Sequence, residues 1–577
     1  MAVDPKPLLG RRLFRAPRSP WLSAARRLAV RQAAIEGFGA PGYGLTLSRP
    51  RASGFAASPR DARPVSRERG RAVALGRFGF AGVSLDAPYP ADPWDQPSPS
   101  RAFAVELHRF TWLADLCALG EAATAEALRL VLAWGSTFGD WSPFAWGRDV
   151  LSRRVFNLAC AARRMGAVGS AAEAQFLADV LARQARHLLR LADDRASAAE
   201  ATIAAALAGT ALAGDAGNRL IARALPRVRR AIARSVLADG GHASRNPEAA
   251  LELLLDLLSL DDGLNQRGIE TPEEVSRAID RLTLAARVLT LPDRRLACFQ
   301  GGEAADPARI AAALAHEDPE GRPPQRLPDM GYERLTGQML TAFVDAGPPG
   351  RGAWAVSACA QPLAIEVVCG RDRLITNCGW SARAPDRQGF RLAAAGSTVI
   401  VGEDSPLQPL QGRLAQILGP RLEGPDIRVK VRREESDNAV VVELGHDGWV
   451  PRFGLMHERL LYLDVRADEL RCEDRLLPAE GARPHALAAP YALRFHLHPA
   501  VKVAQAADRK SVLLRGPSGR GWWFRNNAAD VSVETGAWFD EGQQRRAAQI
   551  VLRGVARTDG LTRVLWKITP AGGPAEG

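Results

Sequence analysis

Long apolar runs are missing from this 577-residue chain. Nothing in it approaches the roughly 18 residues that would suggest a membrane span. The most apolar stretch, residues 203–214, is Ala-rich and broken by Gly209 and Gly214, so it predicts a buried helix. Paired cysteines are missing too. Cys117, Cys160, Cys298, Cys359, Cys369, Cys378 and Cys472 are scattered, odd in number and without a CxxC pair. That excludes a disulfide framework and a zinc-finger pattern. The first thirty residues carry positive charge but no apolar segment of about 7–15 residues, because Arg11, Arg12, Arg15, Arg18, Pro17 and Pro20 interrupt it. No conventional secretory signal is expected, and the residues alone point to the cytoplasm. Also absent are GxxxxGK[ST], HExxH, GxSxG and an EF-hand loop, and no strand–Gly-loop–helix context surrounds the turns at residues 350–352 and 517–521. Tyr occurs only five times, and Lys five times against 71 Arg.

What is present describes a soluble globular protein, with 46% hydrophobic and 24% charged residues. The length predicts two to four domains. The net charge of +12 is local: residues 1–77 hold 16 Lys and Arg against 4 Asp and Glu, and the other 500 residues are neutral. The basicity therefore belongs to an N-terminal arm, residues 1–99, expected to be largely solvated. Such an arm suits peripheral contact with an anionic surface, but nucleic-acid recognition would rest on it alone.

The hydrophobic period changes near residue 325. From 100 to 325 it is helical, with helices predicted at 102–119, 121–138, 150–164, 171–191, 198–212, 219–237, 247–258, 272–291 and 307–315. Asn246-Pro247 reads as an N-cap with Pro at the first helical position, and Thr271-Pro272-Glu273-Glu274 as a capping box. Paired helices this numerous suggest an α/α toroid or solenoid. A Pro- and Gly-rich link at 317–328 follows. From 330 to 570 the period is two, in many short segments separated by Gly, Pro, Asp and Asn, which predicts a large antiparallel β-sandwich. The fold class is thus α+β multidomain, with a cleft expected between the units.

Several strings carry a resemblance. They are AVELHRFTWLADL and WSPFAWGRDVLSRRVFNL, the loop DGGHASRNP at 239–247, and LAIEVVCGRDRLITNCG, GHDGWVPRFGLMHERLLYL, LRFHLHPAVKV and QIVLRG in the second half. Over roughly residues 100–555, and in matching order, the chain resembles the heparinase II/III family, in particular its alphaproteobacterial members. The resemblance implies an incomplete (α/α) toroid followed by a β-sandwich, β-elimination of uronic-acid polysaccharides, and a place in the cell envelope or periplasm. An acidic polysaccharide or oligosaccharide would be the partner.

Elimination needs a group that neutralises the C5 carboxylate, a base for the C5 proton and an acid for the departing O4. Family members use Asn or His for the first, and Tyr and His for the others. The site residues expected here are His242, Arg245, Asn246, Asn157 and His446. Arg245 and Asn157 would hold the carboxylate, Asn157 matching the family's Asn. His242 or His446 would take the proton, and His446 would face the cleft from the sandwich beside Asp447. Asn246 also reads simply as a helix cap. Two family features are missing. No Tyr lies between residues 90 and 331, and Ala249 stands where relatives carry one. The positions of the family's structural zinc ligands hold Cys359, Asn377 and Gly396, so no metal and no other cofactor is expected. His496 and His498 share a strand face and read as a core pair, and Trp522, Trp523 and Phe524 as sandwich core. Two functions follow from the resemblance: a polysaccharide lyase-like enzyme, or a degenerate member that binds an acidic envelope glycan without cutting it.

Overall fold

A computed structural model describes residues 20–191, 198–315, 323–381, 387–482, 486–540 and 542–572. The helices of the first unit are α1 (Pro20–Gly39), α2 (Arg67–Ala74), α3 (Arg101–Arg109), α4 (Leu113–Cys117), α5 (Glu121–Phe138) and α6 (Arg148–Val168), followed by α7 (Ala171–Leu191), α8 (Ala198–Ala211), α9 (Gly214–Ser235), α10 (Pro247–Gln266), α11 (Glu273–Leu289) and α12 (Pro307–Leu314). They form the toroid. Its centre is α8, buried on almost every side and packed against α6, α7, α9 and α10. Small side chains make that approach possible: a Cβ on Gly209 would come within 2.9 Å of the Ile221 backbone nitrogen.

Three sequence readings change here. The helix expected over 102–119 is broken, because Phe110 takes a left-handed conformation (φ 58°) that seats its ring at 5.5 Å from both Trp112 and Trp134. The capping box at Thr271 does not form; its hydroxyl donates to Asp261 Oδ1 (2.5 Å), and Pro272 occupies the N-cap without a side-chain bond. Most importantly, residues 43–99 are not part of a solvated arm. Leu47, Ala52, Val73, Phe78, Ala87 and Trp94 belong to the same core as the toroid helices. The segment before α2 lies along α8 and α10, with Ala56 N donating to Ala211 O (2.8 Å) and Ala62 N to Ser259 Oγ (3.1 Å). Its Arg63 is paired with Asp61, Glu252 and Asp256. Net charge along the chain could not reveal this, because two of the three matching carboxylates, Glu252 and Asp256, come from a distant part of the sequence. Residues 1–19 and the first half of the 317–328 link fall outside the described residues.

The second unit is a two-sheet sandwich. An eight-stranded antiparallel sheet runs from the edge strand Val429–Glu435 through Ala439–His446, Leu455–Asp464, Glu469–Pro478, Thr562–Pro570, Gly521–Asn526 and Val512–Arg515 to Lys502–Gln505. A nine-stranded sheet runs from Asp530–Asp540 through Gln543–Arg557, Ala488–Leu497, Asp372–Thr376, Ile365–Cys369, Leu340–Asp345 and Tyr332–Thr336 to Arg326–Leu327, and Val399–Val401 pairs beside Ala488–Leu497. Alternation sets the faces, as in Leu455–Asp464, where every second residue is buried. The strand Asp530–Asp540 went unanticipated because its half-exposed residues do not alternate. The nine-stranded sheet meets the toroid. Arg334 Nη1 donates to the carbonyls of Val288 (3.1 Å) and Thr290 (3.0 Å), and Arg373 Nε to Asp293 Oδ2 (2.8 Å).

Candidate functional site

The loop 239–247 is where the two units are stitched together. Asp239 Oδ1 accepts from Gly241 N (2.9 Å), closing the turn, while its Oδ2 accepts from Asp329 N (2.7 Å) and Met330 N (2.8 Å) at the start of the sandwich. Gly240 has φ 83°, and a Cβ there would lie 2.0 Å from Arg281 O, so only glycine fits. Arg245 reaches further. Its Nε donates to Met330 O (2.7 Å), Nη1 to Gly347 O (3.0 Å) and Pro348 O (2.8 Å), and Nη2 to Gly331 O (2.8 Å) and Asp345 Oδ1 (2.5 Å). A guanidinium has five N–H groups, and all are engaged. Arg245 therefore clamps the units and has no donor left for a substrate carboxylate.

His242 and Asn246 flank it. The His242 ring meets Trp354 edge-on at 5.2 Å, and its Nδ1 lies 2.7 Å from Ser244 Oγ. Burial pushes its imidazole down to about 4, so the ring is neutral near pH 7. Asn246 caps α10, its side chain accepting from Ala249 N (3.1 Å). Asn157 stands apart, on α6. Its Nδ2 donates to Arg109 O (2.9 Å), the last carbonyl of α3. One turn earlier Arg153 pairs with Asp256, and the guanidinium groups of Arg153 (4.9 Å) and Arg63 (5.2 Å) both pack on the Phe156 ring.

His446 does not face the toroid, contrary to the expectation. It is enclosed within the sandwich in a chain of bonds. Gly448 N donates to His446 Nδ1 (3.0 Å), which leaves the proton on Nε2; that nitrogen is 3.2 Å from His457 Nδ1, and His457 Nε2 is 2.7 Å from Asp474 Oδ1. Burial, then the neighbouring His457 and Arg459, hold the His446 imidazole well below its ordinary range. At Asp474 burial opposes ionisation, but Arg459 and His457 outweigh it and keep the carboxyl well below the usual range. This is a structural relay that ties together three neighbouring strands.

The three positions that the resemblance aligned with metal ligands make other contacts. Asn377 donates to Cys298 O (3.3 Å) and accepts from Ser397 N (2.9 Å). Burial pushes the Cys359 thiol up to about 11, and a Cβ on Gly396 would meet Gln361 at 3.0 Å. No group of three or more His, Cys, Asp or Glu suited to a metal occurs among the described residues. Metal analysis of the purified protein should find well under one zinc per chain; a stoichiometric zinc would contradict this reading. His496 is a core residue, with Nε2 on Ala394 O (3.0 Å) and Nδ1 3.3 Å from Cys378 Sγ, while His498 packs on Trp538. Trp522 and Phe524 are buried and Trp523 turns to the other face.

Sequence reasoning missed the far half of the seam. Gln300 bridges Asp345 Oδ2 (2.7 Å) and Cys359 N (2.9 Å), and Tyr332 OH donates to Arg245 O (2.6 Å). Glu248 accepts from Glu303 N (3.1 Å), and Ser381 donates to Glu303. No local pattern announces partners 45 to 87 residues apart. Elsewhere, a groove of about 800 Å³ opens between residues 60–62, α10 and α11, lined by Asp261, Asp262 and Asp280, and none of the five expected site residues lines it.

A toroid closed onto a two-sheet sandwich through this loop is the architecture of the polysaccharide lyases of the heparinase type. Residues 319–567 match the family model described as heparinase II/III-like, C-terminal. The chain belongs to the heparinase II/III-like family. It is 46% identical over 557 residues to FtsZ-localized protein C of Caulobacter vibrioides, covering 95% of this chain and 96% of that protein. Among solved structures, heparinase III superposes with a TM-score of 0.71 at 13% identity, over 96% of this chain and 92% of that one. Heparan sulfate lyase HepC from Pedobacter heparinus gives 0.55 at 16% identity, over 96% and 91%. At these identities the likeness is one of fold.

Proposed function

We propose that this protein keeps the lyase fold but acts by binding an acidic saccharide rather than by cleaving it. One observation carries the reading: four of the five residues expected to do elimination chemistry are engaged in structural bonds. Arg245 is saturated by four carbonyls and Asp345, Asn246 caps a helix, Asn157 bonds the end of α3, and His446 is enclosed between strands. The related FtsZ-localized protein C supports an FtsZ-associated setting for this chain as well. All seven cysteines are unpaired thiols, which favours a reducing compartment over the cell envelope. Peripheral contact with an anionic surface would fall to α1, which exposes Trp21, Leu22, Leu28 and Val30 beside Arg26, Arg27 and Arg31.

The test is ultraviolet absorbance on a panel of uronic-acid glycans, since β-elimination leaves an unsaturated, absorbing product. Binding without absorbance gain is expected, and Asn157→Ala should leave that outcome unchanged. An absorbance gain, lowered by about 10²–10³ in His242→Ala or Asn157→Ala, would instead establish a lyase using those residues.

A further inference from the structure

The eight-stranded sheet ends in an open edge. Its last strand, Val429–Glu435, pairs with Ala439–His446, and among the described residues no backbone group of 429–435 is bonded outside that ladder. The hairpin fixes which groups are free. Ser436 N donates to Ala439 O (2.9 Å), which makes these two a hydrogen-bonded pair, and the even residues 434, 432 and 430 follow in the same phase. Val429, Val431, Arg433 and Glu435 therefore turn their N–H and C=O groups outward, in the plane of the sheet. The ends of the sandwich sheets elsewhere are shorter or tied down. Lys502–Gln505 has four residues and Arg326–Leu327 two. Asp530–Asp540 is longer, but Phe539 N donates to Cys378 O (2.6 Å), Val531 O accepts from Gln505 Nε2 (3.2 Å), and its last three residues are buried.

Free backbone groups on a sheet edge are a template for another strand. Charged side chains commonly prevent such pairing, and they do so where like signs would meet. In this strand the sign reverses: Lys430, Arg432 and Arg433 precede Glu434 and Glu435. Arg433 is turned inward, donating to Glu333 Oε2 (3.1 Å) and Arg334 O (3.0 Å). Lys430, Arg432 and Glu434 share the other, exposed face, and Val431 leaves 37% of its surface in solvent. Laid antiparallel on itself over its whole length, the strand sets Lys430 opposite Glu434 of a second copy at two places. Arg432 meets its counterpart on the axis, but each is already flanked by Glu434, to which its Nη2 donates, and by Glu443 (3.8 Å). In the same register the outward groups of Val431 face those of Arg433, and those of Val429 face those of Glu435, as backbone bonding requires.

We propose that Val429–Glu435 is a homodimer interface, at which a second copy of the chain adds its own edge so that the two eight-stranded sheets become continuous. The contact is two-fold symmetric and uses the one edge of each copy, so it closes at two chains.

Sedimentation equilibrium of the full chain across the micromolar range should give twice the mass of one chain. Val431→Pro removes an outward donor and spares the ladder, a position where an edge strand tolerates Pro, and should yield a monomer with an unchanged circular dichroism spectrum. Lys430→Glu sets like charges opposite each other at both places and should weaken the dimer by about tenfold or more, while Lys430→Glu combined with Glu434→Lys should restore it. A wild-type chain that is monomeric at every concentration would overturn the proposal and leave the edge to a strand of another protein. A dimer indifferent to both Val431→Pro and Lys430→Glu would overturn it as well, by placing the interface elsewhere.

Discussion

Acidification below about pH 6.5 should unfold this protein long before its carboxylates titrate. Burial, the dominant cause at each site, holds His108, His187, His242, His496 and His498 at about 4, with nearby guanidinium groups of Arg154, Arg190 and Arg373 adding to it at His108, His187 and His498. The unfolded chain binds these protons near the ordinary value of about 6.5, and the folded one refuses them. Stability is therefore complete above about pH 6.5 and is lost as the pH falls toward about 4. Each imidazole contributes up to about 1.4 kcal/mol per pH unit in that window. Five together give a slope on the order of several kcal/mol per unit, against a total of about 5–15 kcal/mol for a typical fold. Thermal melts in matched ionic strength should show Tm dropping steeply between about pH 6.5 and about pH 5. A flat profile over that range would mean that these rings are hydrated or already paired with acids.

The second large effect is expected at Arg245. Arg245→Met removes five donors and leaves Asp345, fully buried, with only the Gln300 amide and the Gly347 N–H. Breaking a buried pair in this way costs about 3–5 kcal/mol. Because the partners belong to different units, the loss should separate their unfolding. Denaturant melts should show one transition becoming two, with the toroid and sandwich no longer cooperative. Adding Asp345→Asn, which removes the stranded charge while keeping an acceptor for Gln300, should restore part of the loss. A destabilisation under about 1 kcal/mol for the single variant, with one transition retained, would show that the clamp is dispensable.

The seam and the relay mark where reading the chain residue by residue stops. The switch of period near residue 325 located both units, since side-chain spacing is a local property that burial on one face imposes. The Asn246-Pro247 cap was equally legible, because its partner is three residues away. His446 looked like a site residue in a Gly-flanked turn, yet its bonds run to His457 across a strand pair and on to Asp474. Arg63 looked like part of a solvated arm and proved to be an ion-pair partner of α10.

By itself, then, the sequence determined the two-unit architecture and the order of most elements, both of which depend on residue type and spacing. Only the tertiary structure decided what Arg245, Asn157, His446 and residues 43–99 do. Each is defined by a carbonyl, carboxylate or ring from a distant part of the chain, and a hydrogen bond formed there removes a donor from solvent as surely as a substitution would.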